Sequence, residues 1–211
     1  MYIPKKKNIS KTGASDPVYY HYIPFVSYVY KKRLSNTLSL LKDDYEKLLE
    51  IGYGSGILLP ELSFRSEVVF GLETHKNEEK VYQLLKKENI DNVTLKSGNI
   101  LNIPFDDNFF DCIVSVSTLE HISELDKTFS EMKRILKQEG ELVLSFPVRN
   151  IITDSFFILL GHFPREIHPS SHLDIIKIAK KYFEVKKVLK FPNISNINYS
   201  LYCSILLKPS A

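Results

Sequence analysis

Short apolar runs alternate along the chain with stretches whose apolar residues recur every three or four positions. The runs predict strands at 47–51, 67–72, 92–97, 110–116 and 141–146. The helical spacing predicts helices over 55–63, 76–88, 125–137 and 171–181, with Gly140 as a stop signal after the third of them. Two last runs, 184–190 and 200–208, stand too close together for a helical crossover. They predict an antiparallel hairpin with a long loop containing Pro192. Ahead of the first strand, Phe25 to Leu41 is mostly helical in spacing, with Leu34, Leu38 and Leu41 on one stripe and Pro24 breaking or starting the helix. Residues 1–17, with Pro4, Gly13, Asp16 and Pro17, read as irregular.

Strand–helix alternation closing in a hairpin implies an α/β fold with helices on both faces of the sheet. The expectation is a Rossmann-like three-layer α/β/α sandwich, a seven-stranded, mostly parallel sheet with one antiparallel strand near the C-terminal end. One domain over 1–211 is expected: a cap segment (1–42), a core (43–147), an insertion or lid (148–169), and a C-terminal helix and hairpin (170–211). Open sheets of this kind bind ligands beyond the carboxyl ends of their strands. Strand one ends at a glycine turn, strand two at Glu73, strand three at Gly98-Asn99 and strand four at Ser115–Ser117. These four regions should share one edge.

The glycine turn is the most informative of them. Leu48-Leu49-Glu50-Ile51-Gly52-Tyr53-Gly54-Ser55-Gly56 is an apolar run, an acid and a G-x-G-x-G turn. Glycine lets backbone approach a ligand closely and tolerates positive φ. Glu73 follows about 20 residues later at a strand end, where a carboxylate suits a bidentate hold on ribose hydroxyls. A nicotinamide-binding turn would prefer G-x-G-x-x-G, and here the third glycine falls one position early.

Composition narrows the classes. The chain has 211 residues, is 44% hydrophobic and carries a formal charge of +3, which points to neither a dedicated nucleic-acid binder nor a funnel for acidic ligands. The Lys5-Lys6-Lys7 cluster reads as a solvated, floppy tail. Cys112 and Cys203 sit in apolar runs and read as small core residues in a reducing compartment. No secretory signal and no run of about 20 apolar residues is present, so a cytoplasmic location is expected.

Several motifs together resemble the class I S-adenosylmethionine-dependent methyltransferases, of the type grouped with the ubiquinone and menaquinone enzymes. Glu50 to Gly56 resembles the family's first motif. Gly98-Asn99-Ile100, Ile103-Pro104-Phe105 and Phe109-Phe110-Asp111 resemble its "G-D-x-x-x-L-P-F … F-D" stretch. Ser117-Thr118-Leu119-Glu120-His121-Ile122 resembles its "L-E-H" segment, and Met132 to Leu142 its helix–glycine–strand unit. The resemblance covers roughly 47–147, with a weaker echo at His168 to Phe183. It implies S-adenosyl-L-methionine as cofactor, held by Glu50, Gly52, Tyr53, Gly54, Gly56, Glu73, Thr74, Gly98, Asn99, Ile100, Ser117 and Thr118. Glu50 would steady the glycine loop and meet the cofactor amine, often through water. Asn99 stands where the family often has an aspartate that accepts from the adenine amino group. Its amide oxygen can also accept.

Methyl transfer needs a general base only if the acceptor is a hydroxyl, phenol or carbon acid. Among six histidines, His121 and His168 are the catalytic candidates, with His21 behind them, while His75 reads as a surface residue. No tight metal spacing is visible among His162, His168 and His172, and Glu120-His121 alone is a poor ligand pair, so no metal is expected. The aromatic block 18–30 and the apolar insertion 148–169, with Phe156 and Phe157, lie outside the cofactor framework. They suit a small, partly apolar or aromatic acceptor, with the insertion as a lid, a packing element or a dimer contact. No nucleic-acid partner is indicated, and a monomer or homodimer is expected. A non-catalytic adenosyl-binding module and an RNA or protein methyltransferase stay open as alternatives.

Overall fold

Seven strands form one sheet: β1 (Tyr45–Ile51), β2 (Ser66–Glu73), β3 (Val93–Ser97), β4 (Phe110–Val116), β5 (Leu136–Pro147), β6 (Phe183–Phe191) and β7 (Tyr202–Pro209), in the order β3-β2-β1-β4-β5-β7-β6. The computed structural model describes residues 1–13, 16–159, 161 and 168–210, and only the backbone of Phe156 and Phe157. The first five strands pair in parallel. β7 runs antiparallel to both β5 and β6, so it is the reversed strand expected from the short connection. The helices are α1 (Val26–Leu38), α2 (Leu59–Ser63), α3 (Glu78–Lys87), α4 (Leu125–Ile135), α5 (Ile151–Leu159) and α6 (His172–Tyr182).

Alternate residues of the central strands feed two cores. Leu49, Ile51, Ile113, Leu142 and Leu144 face α4 and α6, where Phe129, Met132, Ile175 and Ala179 are buried. Leu48, Val69, Cys112, Val114 and Val143 face the other side with Leu34, Leu38, Leu59, Leu62, Val81 and Leu85. Strands covered on both faces read as unbroken apolar runs, which is why the sequence pattern located them well. Cys112 and Cys203 are buried, unpaired thiols, and burial pushes Cys203 up to about 12. A capping box starts α6: Asp174 N–H donates to Ser171 Oγ (3.2 Å) and Ser171 N–H to the Asp174 carboxylate (3.0 Å).

Three expectations are corrected. Gly140 does not stop a helix. α4 ends at Ile135, Leu136 is already extended and pairs with Phe110, and Gly140 lies inside β5. The predicted helix 55–63 shrinks to five residues, because Gly52, Gly54 and Gly56 all take positive φ and Leu59 is the first helical residue. No long helix therefore points its N-terminus at the glycine turn. The N-terminal tail is not floppy: Ile9 is buried in a small cluster with Val18 and Leu84 of α3, although Lys5, Lys6 and Lys7 are exposed.

At the β4 entrance, Phe110 is fully buried with its ring 4.9 Å from both Phe105 and Phe109. Phe110→Ala should lower unfolding stability by about 3–5 kcal/mol in urea denaturation, through lost burial and the cavity left behind.

Candidate functional site

A cavity of about 520 Å³ opens beyond the carboxyl ends of β1, β2, β3 and β4. Its floor is the glycine turn. Gly52 takes φ +79°, and a β-carbon there would lie 2.1 Å from the Thr118 hydroxyl oxygen. Gly54 takes φ +50° and a β-carbon there would meet nothing within 4 Å. Only glycine serves both positions without strain. Gly54 N–H donates to Glu73 Oε2 (3.1 Å), while Glu73 Oε1 accepts from the Thr74 N–H (2.7 Å) and hydroxyl (3.1 Å). One carboxylate thus joins the ends of β1 and β2 and stays half-buried at the cavity edge.

Glu50 sits beneath the turn, 3% exposed, and its Oε2 has no hydrogen-bond partner. Burial, with the Glu73 charge nearby, pushes its pKa up to about 8. A buried carboxyl with an unused oxygen is suited to an incoming cation. On the far wall Gly98, Asn99 and Ile100 follow β3, and Ile100 is buried among core residues. Asn99 is exposed, and its amide oxygen already accepts from Leu101 N–H (2.9 Å). A second lone pair on that oxygen can still accept. Ser117 and Thr118 close the β4 side, with Ser117 at φ +53°.

Most of the expected residues therefore meet at one cavity, and three stand differently. Gly56 does not line it. A β-carbon there would lie 2.6 Å from Val81, so this glycine serves the packing of the turn on α3. The Tyr53 ring is buried below the turn, where a β-carbon on Gly71 would be 2.7 Å from it. His168 lines a separate small cavity with Glu120 and Ser170, although its ring lies 4.8 Å from that of His121, which does line the large one.

Three lining residues went unrecognised in the sequence, and a fourth, His21, stood there only as a weaker base candidate. His75 is not a simple surface residue: its Nε2 lies 2.8 Å from Gly54 O and its ring stands edge-on to Tyr53. Asp16 accepts from the N–H groups of Thr12 (3.0 Å) and Val18 (2.9 Å) and from the Ser55 hydroxyl, which pins the N-terminal segment over the glycine turn. Arg33, 5% exposed, donates to Ser117 Oγ (2.7 Å) between the rings of Tyr30 and Tyr202. His21, 1% exposed, is bonded through Nδ1 to Val18 O (3.1 Å). Its burial and the nearby Arg33 charge lower its pKa to about 3, so it is a neutral ring at the cavity wall. Only the aromatic density of 18–30 hinted at this cap.

The expected lid lies partly outside the described residues, as do His162 and Phe163. No described residue of α5 lines the large cavity, whereas its Thr153 and Asp154 line the small one. Ile151 and Leu159 at its ends are largely exposed. No helix among the described residues is long and apolar enough to cross a membrane.

The profile of a family described as a methyltransferase domain matches residues 49–144, which holds the glycine turn, Glu73, Asn99 and His121. A demethylmenaquinone methyltransferase from Geobacillus sp. is 34% identical over 102 residues, 46% of this chain and 44% of that protein. The chain spans less than half the length of the curated relatives it matches here. Among solved structures, the N-methyltransferase NodS from Bradyrhizobium japonicum, in complex with S-adenosyl-L-homocysteine, superposes with a TM-score of 0.68 at 15% identity, over 95% of each chain. A SAM-dependent methyltransferase from Aquifex aeolicus gives 0.67 at 19% identity, over 84% of this chain and 89% of the other. Residues 49–144 thus match the methyltransferase domain family, and the chain shares its fold with these enzymes.

Proposed function

We propose that the chain, read as one domain, transfers a methyl group from S-adenosyl-L-methionine to a small acceptor. The observation that carries this reading is the shared cavity edge, where the glycine turn, the Glu73 carboxylate and the Asn99-Ile100 wall converge. The residues fit the cofactor's parts. Glu73 offers two carboxylate oxygens to ribose hydroxyls. Ile100 supplies an apolar face and Asn99 a polar edge for adenine. Gly52 and Gly54 leave room for the methionine portion, and the unused Glu50 oxygen suits its ammonium group. When bound, the cofactor supplies a methyl group already activated on a sulfonium.

The chain's own contribution is to orient and enclose. Holding acceptor and donor in line can supply about 7–11 kcal/mol of the barrier. Asp16 holds the N-terminal cap across the turn, which keeps water from that side. His121, exposed at the cavity wall after β4, is the group placed to take a proton from a hydroxyl acceptor. His168 does not line this cavity and would act through His121 as a positioning residue. Val18, Leu34, Val116 and Ile122 give the cavity an apolar wall beside the Arg33 cation, which the rings of Tyr30 and Tyr202 hold from behind. A small, partly apolar or aromatic acceptor suits this wall.

The buried Glu50 has a consequence for stability. Its folded pKa of about 8 lies above the ordinary 4.5, so between these values the folded chain holds a proton that the unfolded chain has lost. Its contribution is present below that window and is lost as pH rises through it.

Calorimetric titration with S-adenosylmethionine and S-adenosylhomocysteine tests the proposal. Saturable heat with both is expected, and no heat with either refutes it. In the same titration Glu73→Ala should weaken binding by about 1–3 kcal/mol, the cost of an unpaired polar partner. Thermal melts of the ligand-free chain should show stability declining from pH 5 towards about 8, and Glu50→Gln should flatten that decline.

A further inference from the structure

Glu120 and His121 stand at the 3₁₀ turn Leu119–His121 that follows β4. His168 is far away in sequence and is brought to them by the segment before α6. Ser170 N–H donates to Glu120 O (3.3 Å), and the Ser170 hydroxyl donates to Ile122 O. These bonds tie the two backbones together. One carboxylate oxygen and one ring nitrogen from each histidine then all lie within 4.8 Å of one another.

We propose that Glu120, His121 and His168 form a binding site for a divalent transition-metal ion. Two histidines and one carboxylate are a complete protein ligand set for a zinc or non-haem iron site that keeps a position open. Glu120 is 3% exposed and its Oε2 has no hydrogen-bond partner. A buried carboxylate left with an unused oxygen is costly unless a cation or proton meets it. The Ser117 hydroxyl hydrogen-bonds this carboxyl group, and Arg33 stands near it. His172, which also lines the small cavity, is not a ligand: its Nδ1 accepts from Arg149 N–H (3.1 Å) and its Nε2 meets Asn198 Oδ1 (3.0 Å).

Bonds of about 2.0–2.2 Å to an ion put two ligand atoms at most about 4.4 Å apart, so the three side chains close in slightly on binding. The Arg33 charge nearby weakens the site without filling it, since its guanidinium is held by Ser117 and two tyrosine rings. The ion would sit between the small cavity, lined by Glu120 and His168, and the large one, lined by His121. Its open position would face the acceptor side. There it would increase the acidity of a bound hydroxyl and replace His121 as the activating group. The site itself does not depend on the methyl-transfer reading.

The test is titration of the chelator-stripped chain with Co²⁺, read by visible absorption and by metal analysis after dialysis, with Zn²⁺ as competitor. One ion per chain is expected, displaced by Zn²⁺. His168→Ala and His121→Ala should each weaken binding by about 10–100-fold or more, since losing even an outer-sphere partner costs that much. Far-UV circular dichroism and the heat of S-adenosylmethionine binding confirm that each variant is folded. No Co²⁺ spectrum in the folded wild-type chain overturns the site, and so does unchanged binding in both variants. Cofactor heat without Co²⁺ binding removes the metal site and leaves the methyl-transfer reading standing.

Discussion

The backbone at the end of β1 has to reverse without a side chain in its way, and a carboxylate at the end of the neighbouring strand has to hold it there. Gly52 meets the first demand, because any β-carbon would strike Thr118. Glu73 meets the second through the Gly54 N–H. The parallel pairing of β1 with β2 sets the distance between them, with Glu50 opposite Gly71 and Ile51 opposite Leu72. A shift of that register would part the turn from its acid, so the site depends on the two buried cores that fix the strands.

The charges around the cavity follow from the same burial. Glu50, Glu73 and Asp16 put three carboxyl groups near one turn, yet only Glu50 is removed from solvent and without a partner on one oxygen. Glu73 and Asp16 are satisfied by backbone N–H groups, which costs the fold little. On the opposite wall Arg33 is the balancing cation, reached from α1 and locked between tyrosine rings. The cavity thus has an acidic floor beneath the glycine turn and one buried cation among its lining residues.

The N-terminal segment changes the picture of what encloses the site. The apolar insertion was open as a lid, a packing element or a dimer contact, and the described part of α5 borders only the small cavity. Thr12, Gly13 and Asp16 to Val18 cover the glycine turn instead. A segment without regular structure does this because one carboxylate, Asp16, gathers two of its own N–H groups and the hydroxyl of the turn it covers.

The strands, their order of appearance, the reversed C-terminal hairpin and the edge at which the cavity opens were all legible in the chain. Doubly covered strands leave apolar runs, and a turn at positive φ leaves glycines. Glu73 was legible as well, because strand pairing places it by a fixed spacing. Helix ends were less so: α4 gives way directly to β5 at Leu136, and the glycines that mark the turn also delay α2. The contacts of Arg33, Asp16 and His75, and the meeting of Glu120 and His121 with His168, were decided only by the tertiary structure. Arg33 and Ser117 are 84 positions apart, and no local pattern joins them. A polar side chain acquires its role from the partner that burial brings to it, and that partner is chosen by the packing of distant elements.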